Sequence, residues 1–431
     1  MRNSCSFIGL FFVIAFTGCG GALNPSTVSS AAGSLGARTA TVQAAAPKYK
    51  QLYVFQGHPD GASPFGGLVE MNGTLYGTTL NGSKNYCSGS CGSNDCYLGC
   101  GTIFTISAGK ESVIYNFEGN FNDAHDGSWP FVGLTALDGE FFGTTAVGGQ
   151  FGDGTVFITT PSGDERVVYS FMGSTGSSTD GDDPEAVLTP LSGKLYGTTV
   201  YGGGNGCGGY GCGVVYWLTT IGKEFVLYRF QGGQDGFRVF APTTALKNKL
   251  YGATLQGGGT GCGGQGCGTI YELSLNGKER VLYRFGGTSD GEFPNGLTAV
   301  NGVLYGTTEG GGTKNSGTFF SVTTSGTLTT LYNFLDIPDG NGPGASLIYK
   351  KGKFYGTTVG GGTVGDGTVF KIDTNGQNEK VLYSFQGGKD GSDPQAPLYL
   401  SNGVLYGTTE AGGNGGCTNN AGCGTVFKLK P

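Results

Sequence analysis

Short runs of apolar residues recur along most of the chain, and each run ends at a turn rich in glycine. In residues 345–391 these runs are Ser346–Tyr349, Phe354–Thr358, Gly367–Ile372 and Val381–Phe385. Runs of this length that are rich in Val, Tyr, Phe and Thr and bounded by glycine predict β-strands. Helical periodicity is absent, as are glycine-free segments of helical length. Four short strands joined by turns predict an antiparallel meander.

The phrase Leu-Tyr-Gly-Thr-Thr marks the second strand of this unit and occurs seven times with small variations. Its glycines are separated by 66, 54, 55, 54, 50 and 51 residues, by subtraction of their positions. A four-stranded unit repeated seven times at a period near fifty predicts an all-β fold, the seven-bladed β-propeller. The glycines are Gly77, Gly143, Gly197, Gly252, Gly306, Gly356 and Gly407.

The two ends of the repeat region are offset by one strand. A copy of the fourth strand, Leu52–Phe55, precedes the first unit, and the last unit stops after its third strand, Gly424–Leu429. We expect the N-terminal strand to complete the last blade and close the ring, because closure protects sheet edges. An open β-solenoid is the rival architecture, but it does not explain the offset. Residues 49–431 are thus predicted to form one propeller.

Aromatic residues occupy fixed positions in the second, third and fourth strands of each unit. Buried aromatic side chains dominate core energetics, so we expect these rings to fill the space between neighbouring blades. A glycine inside a strand marks the close approach of another group. At Gly77 and its equivalents we expect that group to be a ring from the next blade.

Composition and charge exclude several classes of protein. Glycine accounts for 88 of 431 residues, yet the aromatic content of 12% argues against disorder. There is no Gly-X-Y period, which excludes collagen. The net charge of −6 and the lack of a basic patch argue against a nucleic-acid partner. Motifs of serine hydrolases, zinc proteases, phosphate-binding loops and EF-hands are absent.

Residues 1–19 are typical of an export signal. Phe7–Phe16 is an apolar run too short to span a bilayer. It leads into Cys19 through Thr-Gly, which resembles a bacterial lipobox, although phenylalanine stands where leucine is usual. The resemblance implies lipidation of Cys19, and Gly20 after it favours the outer membrane. The alternative is an ordinary secreted protein.

Residues 20–48 are rich in Ser, Ala, Gly and Thr and predict a flexible tether. A lipid anchor needs such a spacer to hold a folded domain away from the headgroups. We therefore expect an exported protein anchored through its lipid to the outer membrane or cell surface. We also expect a monomer.

Ten of the twelve cysteines lie in the loop between the second and third strands. Export to an oxidising compartment favours disulfides. Four cysteines within residues 87–100 allow three connectivities, so the nested pairing in that loop is a hypothesis. Zinc is the alternative there, because the spacings are tolerable for metal. The expected pairs are Cys207–Cys212, Cys262–Cys267, Cys417–Cys423, Cys87–Cys100 and Cys91–Cys96.

An Asp-Gly pair recurs in every connector from a fourth strand to the next blade. Turn chemistry explains such a repeated residue, because Asp accepts local backbone hydrogen bonds and Gly supplies positive φ. The functional alternative is an acidic ring, since connectors and cysteine loops share the face where propellers usually bind ligands. The aspartates are Asp60, Asp126, Asp180, Asp235, Asp290, Asp339 and Asp390.

Features that break the symmetry of the connectors carry more information about function. The two histidines lie beside aspartates of adjacent connectors, and an aromatic platform with flanking carboxylates suits a sugar ring. The run from Asp180 to Glu185 could hold Ca²⁺, which takes several oxygen ligands; no other metal or cofactor is expected. The candidate ligand-binding residues are His58, Asp60, His125, Asp126, Trp129, Asp180, Asp182 and Asp183.

The full repeat, Leu-Tyr-Gly-Thr-Thr, Gly-Gly, Gly-Thr-Val-Phe, Leu-Tyr-x-Phe, Asp-Gly and Pro, resembles the tandem Gloeobacter–Verrucomicrobia ("GloVer") repeats of bacterial surface proteins with varied anchors. The resemblance spans about residues 49–431, with departures at Phe142 and Ala253. It implies location and fold and carries no activity.

Two functions follow from these features. The first is a lipid-anchored, non-enzymatic propeller that binds a glycan, a protein or a scaffold through its loop-rich face. The second is a polysaccharide hydrolase or lyase that uses acidic residues of the same face. Such chemistry needs carboxylates about 5–9 Å apart, which the loops of adjacent blades could supply. We favour the non-enzymatic function.

Overall fold

The computed structural model describes residues 47–84, 99–119, 126–173, 178–417 and 422–431. These residues form seven four-stranded antiparallel sheets, each ordered inner, second, third and outer strand. We number the blades from the one that begins at Val69. The predicted all-β, seven-bladed propeller is therefore confirmed.

Strand bounds are similar from blade to blade. The inner strands are Val69–Met71, Thr135–Leu137, Thr189–Leu191, Thr244–Leu246, Thr298–Val300, Ile348–Lys350 and Tyr399–Ser401. The second strands are Thr74–Thr79, Glu140–Thr145, Lys194–Thr198, Lys249–Thr254, Val303–Gly310, Lys353–Thr358 and Val404–Thr409. The third strands are Thr102–Ser107, Thr155–Thr159, Val214–Leu218, Thr269–Ser274, Thr318–Thr323, Thr368–Asp373 and Thr425–Lys430. The outer strands are Lys110–Asn116, Glu165–Ser170, Glu224–Arg229, Glu279–Arg284, Leu328–Asn333, Lys380–Ser384 and, for blade 7, Lys48–Val54.

The ring closes through the N-terminal strand, as predicted. Lys48–Val54 pairs antiparallel with Thr425–Lys430, and Lys48 lies opposite Lys430. The hydroxyl of Thr408 in blade 7 also donates a hydrogen bond of 3.4 Å to the carbonyl of Gly66 in blade 1. Main-chain pairing and a side-chain bond therefore join the two ends of the repeat region.

Connectors and second-to-third loops lie on the same face, because they pair with one another. Four pairs form short strands: Gly127–Ser128 with Val147–Gly148, Gly181–Asp182 with Tyr201–Gly202, Glu292–Pro294 with the end of Val303–Gly310, and Gly340–Asn341 with Gly360–Gly361. Single bridges replace them in the other three blades. Short 3-10 turns at Cys207–Gly209 and Cys262–Gly264 lie in two of these loops. We call this side of the ring the connector face, and the opposite side, which carries the strand hairpins, the hairpin face.

Aromatic rings join each blade to the next. The phenylalanine that follows each outer strand meets a third-strand ring of the following blade edge-on, with centroids 5.0–5.4 Å apart in all seven interfaces. Such T-shaped pairs are favoured by the ring quadrupole. In blade 1, for example, Phe55 meets Phe104. The prediction that aromatics fill the space between blades is confirmed.

The expectation that Gly77 makes room for a ring of the next blade was wrong. Gly77 lies opposite Phe104 on the neighbouring strand of its own blade. A Cβ at Gly77 would lie 2.5 Å from Cζ of Phe104, so the ring occupies the space above the glycine. The glycine therefore lets the third-strand ring lie flat across its own sheet and receive the edge of Phe55.

Candidate functional site

The repeated aspartates act in the turns that follow the outer strands. Each accepts a hydrogen bond from the hydroxyl of the outer-strand tyrosine, at 2.6–3.1 Å. Each also accepts the backbone N–H of the residue after the outer phenylalanine, at 2.7–3.1 Å. Asp60, Asp126 and Asp180 of the predicted site belong to this set. Turn chemistry thus accounts for their contacts in every blade.

Glutamates from the following blade face five of these aspartates. They stand four positions before the outer-strand tyrosine, and Oε1 of each is buried without a hydrogen-bond partner in the described protein. Burial, followed by repulsion from the aspartate, raises the pKa of Glu165 and Glu224 to about 8 and of the other three to about 7. We call these contacts the acidic seams: Asp60 with Glu111, Asp126 with Glu165, Asp180 with Glu224, Asp235 with Glu279, and Asp339 with Glu379.

The other predicted site residues to place are His58, His125 and Trp129. His58 is exposed, and its Nδ1 lies 2.7 Å from the carbonyl oxygen of Ser83. His125 lies outside the described residues. Trp129 is half-buried and has a left-handed backbone, with φ of 59°. The structure therefore does not describe the predicted pair of histidines.

A left-handed residue like Trp129 occurs in all seven connectors, and we call this set the apex ring. Its φ values are 53–64°. Left-handed backbone is uncommon for residues other than glycine and costs free energy, and strain of this kind concentrates at functional sites. Although the backbone is the same in each blade, the side chains differ in size and charge. The apex ring is Ser63, Trp129, Asp183, Arg238, Phe293, Gly342 and Asp393.

A second set of connector residues, two positions after the apex ring, surrounds the axis of the propeller. An axial cavity of about 80 Å³ is lined by six of them and by parts of all seven connectors. Ligand pockets typically measure about 300–1,000 Å³, so this cavity admits only the end of a ligand. We call this set the mouth ring: Phe65, Phe131, Glu185, Phe240, Asn295, Gly344 and Gln395.

Asp183 and Glu185 form an acidic pair at the boundary of blades 3 and 4. Burial raises the pKa of both carboxyl groups, and the two groups lie close enough to influence each other's pKa. Arg238 partly offsets this effect and lies 5.6 Å from the ring centroid of Tyr201. Tyr201 in turn lies 6.1 Å from Tyr210, which is 58% exposed. This corner of the connector face combines a cation, carboxyl groups and accessible rings.

Asp182 lies beside the acidic pair in the same connector, and its pKa is also raised. Burial, followed by repulsion from Asp153, Asp183 and Asp180, raises its pKa to about 8. Among the described residues, the single group of potential metal ligands within 4.8 Å of one another is Cys262, Cys267 and Glu292. Those two sulfur atoms are bonded to each other, so they offer no thiolate to a metal. A Ca²⁺ site at the run 180–185 stays a prediction.

Three of the predicted disulfides are formed, at Cys207–Cys212, Cys262–Cys267 and Cys417–Cys423. Cys100 is also disulfide-bonded. The other predicted cysteine sites, Cys19, Cys87, Cys91 and Cys96, lie outside the described residues.

The disulfide loops hold the apex ring in place. The carbonyls of Cys423, Cys100, Cys212 and Cys267 accept hydrogen bonds of 3.0–3.2 Å from the backbone N–H groups of apex residues in the following blades. Each bridged loop therefore supports the neighbouring connector.

No helix in the described part of the chain has the length and apolar character needed to cross a membrane.

The apex and mouth rings were not predicted as sets, although the sequence carries a signal for them. In six of the seven connectors they flank a proline, as in Trp129-Pro130-Phe131. Alignment of the seven copies on this proline shows two positions that vary while their surroundings repeat. Trp129 and Asp183 were identified individually because of their residue type alone.

Comparison with solved structures finds similar chains of low sequence identity. The computationally designed Ika8 protein is 14% identical, with 88% of this chain and 99% of that chain covered and a TM-score of 0.47. A candidate 6-phosphogluconolactonase from Bacteroides uniformis is 13% identical, with 78% and 89% covered and a TM-score of 0.48. A chain of the nidogen/laminin complex is 12% identical, with 66% and 91% covered and a TM-score of 0.39.

No curated protein sequence matches the chain. The family model described as the Gloeobacter/Verrucomicrobia repeat matches residues 26–210 and 260–431, which together make up most of the chain. The match covers blades on both sides of the acidic pair and includes the strand that closes the ring. By sequence and by fold, the chain belongs to the Gloeobacter/Verrucomicrobia repeat family.

Proposed function

We propose that this protein is a non-enzymatic binding module, anchored by lipid at Cys19 to the outer membrane or cell surface, that engages a glycan or protein through its connector face. The apex ring is the observation that carries the proposal. Seven connectors share one left-handed backbone conformation but present six different residue types at that position. A merely architectural position would be filled by one preferred residue, as the repeated aspartates are. Variation on a constant frame is what a recognition surface requires.

The position of the N-terminal strand supports this arrangement. Lys48 starts the outer strand of blade 7 at the hairpin face, while the strand ends at Val54, next to the connectors. A tether that precedes Lys48 leaves the ring on the side opposite the apex residues. An anchor at the far end of such a tether would direct the connector face away from the membrane.

The acidic pair gives less support to the hydrolase or lyase alternative. Glycosidases use two carboxyl groups about 5–9 Å apart so that a sugar or water fits between them. Burial raises the pKa of both Asp183 and Glu185, whereas a glycosidase needs one carboxyl group protonated and the other ionised. Their arrangement suits hydrogen bonding to a ligand better than attack on a glycosidic bond.

The binding function is tested by screening the purified mature protein against glycan and peptide arrays. Trp129→Asn and Arg238→Asn remove apex side chains while keeping a residue that tolerates left-handed backbone. Both should lose binding with unchanged thermal stability. Ile221→Asn is the control, because Ile221 is 84% exposed on the hairpin face. Binding that survives both apex substitutions, or turnover of any glycan, contradicts the proposal.

The anchor has a separate test. Cys19→Ala should move the protein from the membrane fraction to the soluble exported fraction and abolish incorporation of labelled palmitate. A membrane-bound Cys19→Ala protein would show that the lipid is not the anchor.

A further inference from the structure

The mouth ring is divided into an aromatic half and a polar half. Phe131 lies 4.2 Å from Phe65 and 5.7 Å from Phe240, measured between ring centroids. All three rings are half-buried. They come from blades 1, 2 and 4 and pack on one another, and two of them, Phe65 and Phe240, line the cavity together with Glu185 of blade 3.

Amide and carboxyl groups from blades 5 and 7 form the other half. Gln395 donates from Nε2 to Glu410 at 2.7 Å, and Asn295 donates from Nδ2 to the carbonyl of Pro343 at 2.5 Å. Within the described residues, neither amide oxygen accepts a hydrogen bond. Burial raises the pKa of Glu410 and of Glu309, at the equivalent position in blade 5, to about 7. Groups of this kind both donate and accept hydrogen bonds near neutral pH.

Blade 6 leaves an opening between the two halves. Its apex residue is Gly342 and its mouth residue is Gly344, so neither the apex ring nor the mouth ring has a side chain in this blade. A Cβ at Gly344 would have Val359 as its nearest neighbour, at 3.3 Å. A chain-like ligand can therefore leave the mouth over blade 6 while its end stays at the axis.

We infer that the mouth ring binds the end of a neutral saccharide chain, with the sugar stacked on Phe240 and its hydroxyls bonded to Asn295 and Gln395, all three of which line the cavity. The inference rests on the proposed binding function and specifies its ligand. An aromatic wall facing amide and carboxyl groups matches a sugar ring, which has apolar C–H faces and a polar edge of hydroxyls.

The size and charge of the mouth narrow the ligand further. The cavity of about 80 Å³ is too small for an internal segment of polymer to pass through. Glu185 lines the cavity, and Glu410 is hydrogen-bonded to Gln395, which also lines it. None of the described residues that line the cavity carries a positive charge, so a neutral saccharide is favoured over an acidic one.

The test is calorimetric titration of the mature protein with neutral hexasaccharides of glucose or mannose, with oligogalacturonate and with array-derived peptides. Phe240→Leu keeps an apolar side chain but removes the flat ring, and Gln395→Leu removes the amide. Each should weaken neutral-saccharide binding about tenfold. Matched controls are Phe151→Leu, at a phenylalanine 46% exposed away from the mouth, and Gln231→Leu in an exposed turn; both should bind as wild type.

Three results would overturn the inference. Oligogalacturonate that binds as tightly as the neutral hexasaccharides would show that the mouth ring does not discriminate against acidic sugars. Unchanged affinity in both mouth variants would place the sugar elsewhere. Peptide binding that is lost in the apex variants, without saccharide binding, would refute the saccharide while leaving the binding function intact. Loss of all binding in Ile221→Asn alone would instead refute the proposed function.

Discussion

The acidic seams predict that the propeller becomes less stable as the pH rises from about 5 to about 8. The sharpest perturbation is Glu165→Gln, because glutamine has the shape of a protonated glutamate and cannot ionise. In the folded protein, burial and repulsion from Asp126 raise the pKa of Glu165 from 4.5 to about 8. In the unfolded chain the carboxyl group loses its proton near its ordinary pKa of about 4.3.

The sign follows from the protons bound in each state. Between these two pKa values the folded protein holds a proton that the unfolded chain has released, so the free energy of unfolding falls as the pH rises. The contribution is complete below about pH 4.5 and is lost once the pH passes the folded value of about 8. A tenfold difference in proton affinity between the folded and unfolded states corresponds to about 1.4 kcal/mol, which sets an upper limit of about 5 kcal/mol. Partial exposure of Glu165 to solvent screens the effect, so we expect on the order of 1–2 kcal/mol.

The assay is urea denaturation of wild type and Glu165→Gln at pH 4.5, 6.5 and 8.5. The two proteins should unfold at the same urea concentration at pH 4.5. At pH 8.5 the variant should be more stable by about 1–2 kcal/mol, because it keeps a neutral side chain in the seam. The matched control is Asp138→Asn, in an exposed turn of the same blade, which makes the same change of charge outside a seam. A variant that follows wild type at every pH, or is weaker at pH 8.5, would refute the reasoning.

Three further predictions concern the repeated packing. Gly77→Ala should destabilise the protein by about 2–4 kcal/mol in chemical denaturation, because the new Cβ would lie 2.5 Å from a ring atom of its cross-strand partner. Tyr228→Phe should cost about 1–3 kcal/mol, because it removes a hydroxyl that donates to Asp235 at 3.1 Å and leaves a half-buried carboxylate less satisfied. Replacing Cys207 and Cys212 together by serine should lower the free energy of unfolding by about 2 kcal/mol, because the bridge closes a short loop with a sequence separation of 5.

Each of these changes has a control on the same scaffold. Gly360→Ala has more room, with the nearest atom 3.6 Å from the new Cβ, and should be close to neutral. Tyr349→Phe removes a hydroxyl from a tyrosine that is 36% exposed and should also change little. Thermal unfolding of wild type in reducing buffer should show the same direction of change as the double cysteine substitution. Equal effects in variant and control would contradict the packing explanation.

The sequence predicted the fold well because the repeat supplies seven readings of the same strand pattern. The offset between Leu52–Phe55 and the last unit was sufficient to predict ring closure. The role of Gly77 could not be predicted, because sequence spacing does not show whether a ring crosses from the same sheet or from the next blade. That distinction depends on cross-strand register, which places Phe104 directly opposite Gly77.

The candidate site was harder to predict because its residues acquire their role from neighbouring blades. Asp60 and Asp126 were candidate ligand-binding residues because a histidine lies near each of them in the sequence. Their carboxylates instead accept hydrogen bonds from the tyrosines of the preceding outer strands. Glu165 was not among the candidate residues, because its burial against Asp126 arises only when two blades pack together. The apex ring was difficult to predict for the opposite reason, because its seven members share a backbone conformation but include six residue types.

Ring closure by Lys48–Val54 has a consequence for the order of folding. Its partner, Thr425–Lys430, is the last strand of the propeller in chain order, so the first strand of the propeller stays unpaired until that strand has been synthesised. The other six sheets pair strands that are near neighbours in sequence and can form earlier. Contacts between distant segments form slowly, because loop closure must be completed before they contribute. Until then, the outer edge of blade 7 is unpaired. A protease that removes Lys48–Val54 would expose the edge of Thr425–Lys430, and removal of Thr425–Lys430 would leave Lys48–Val54 without a partner.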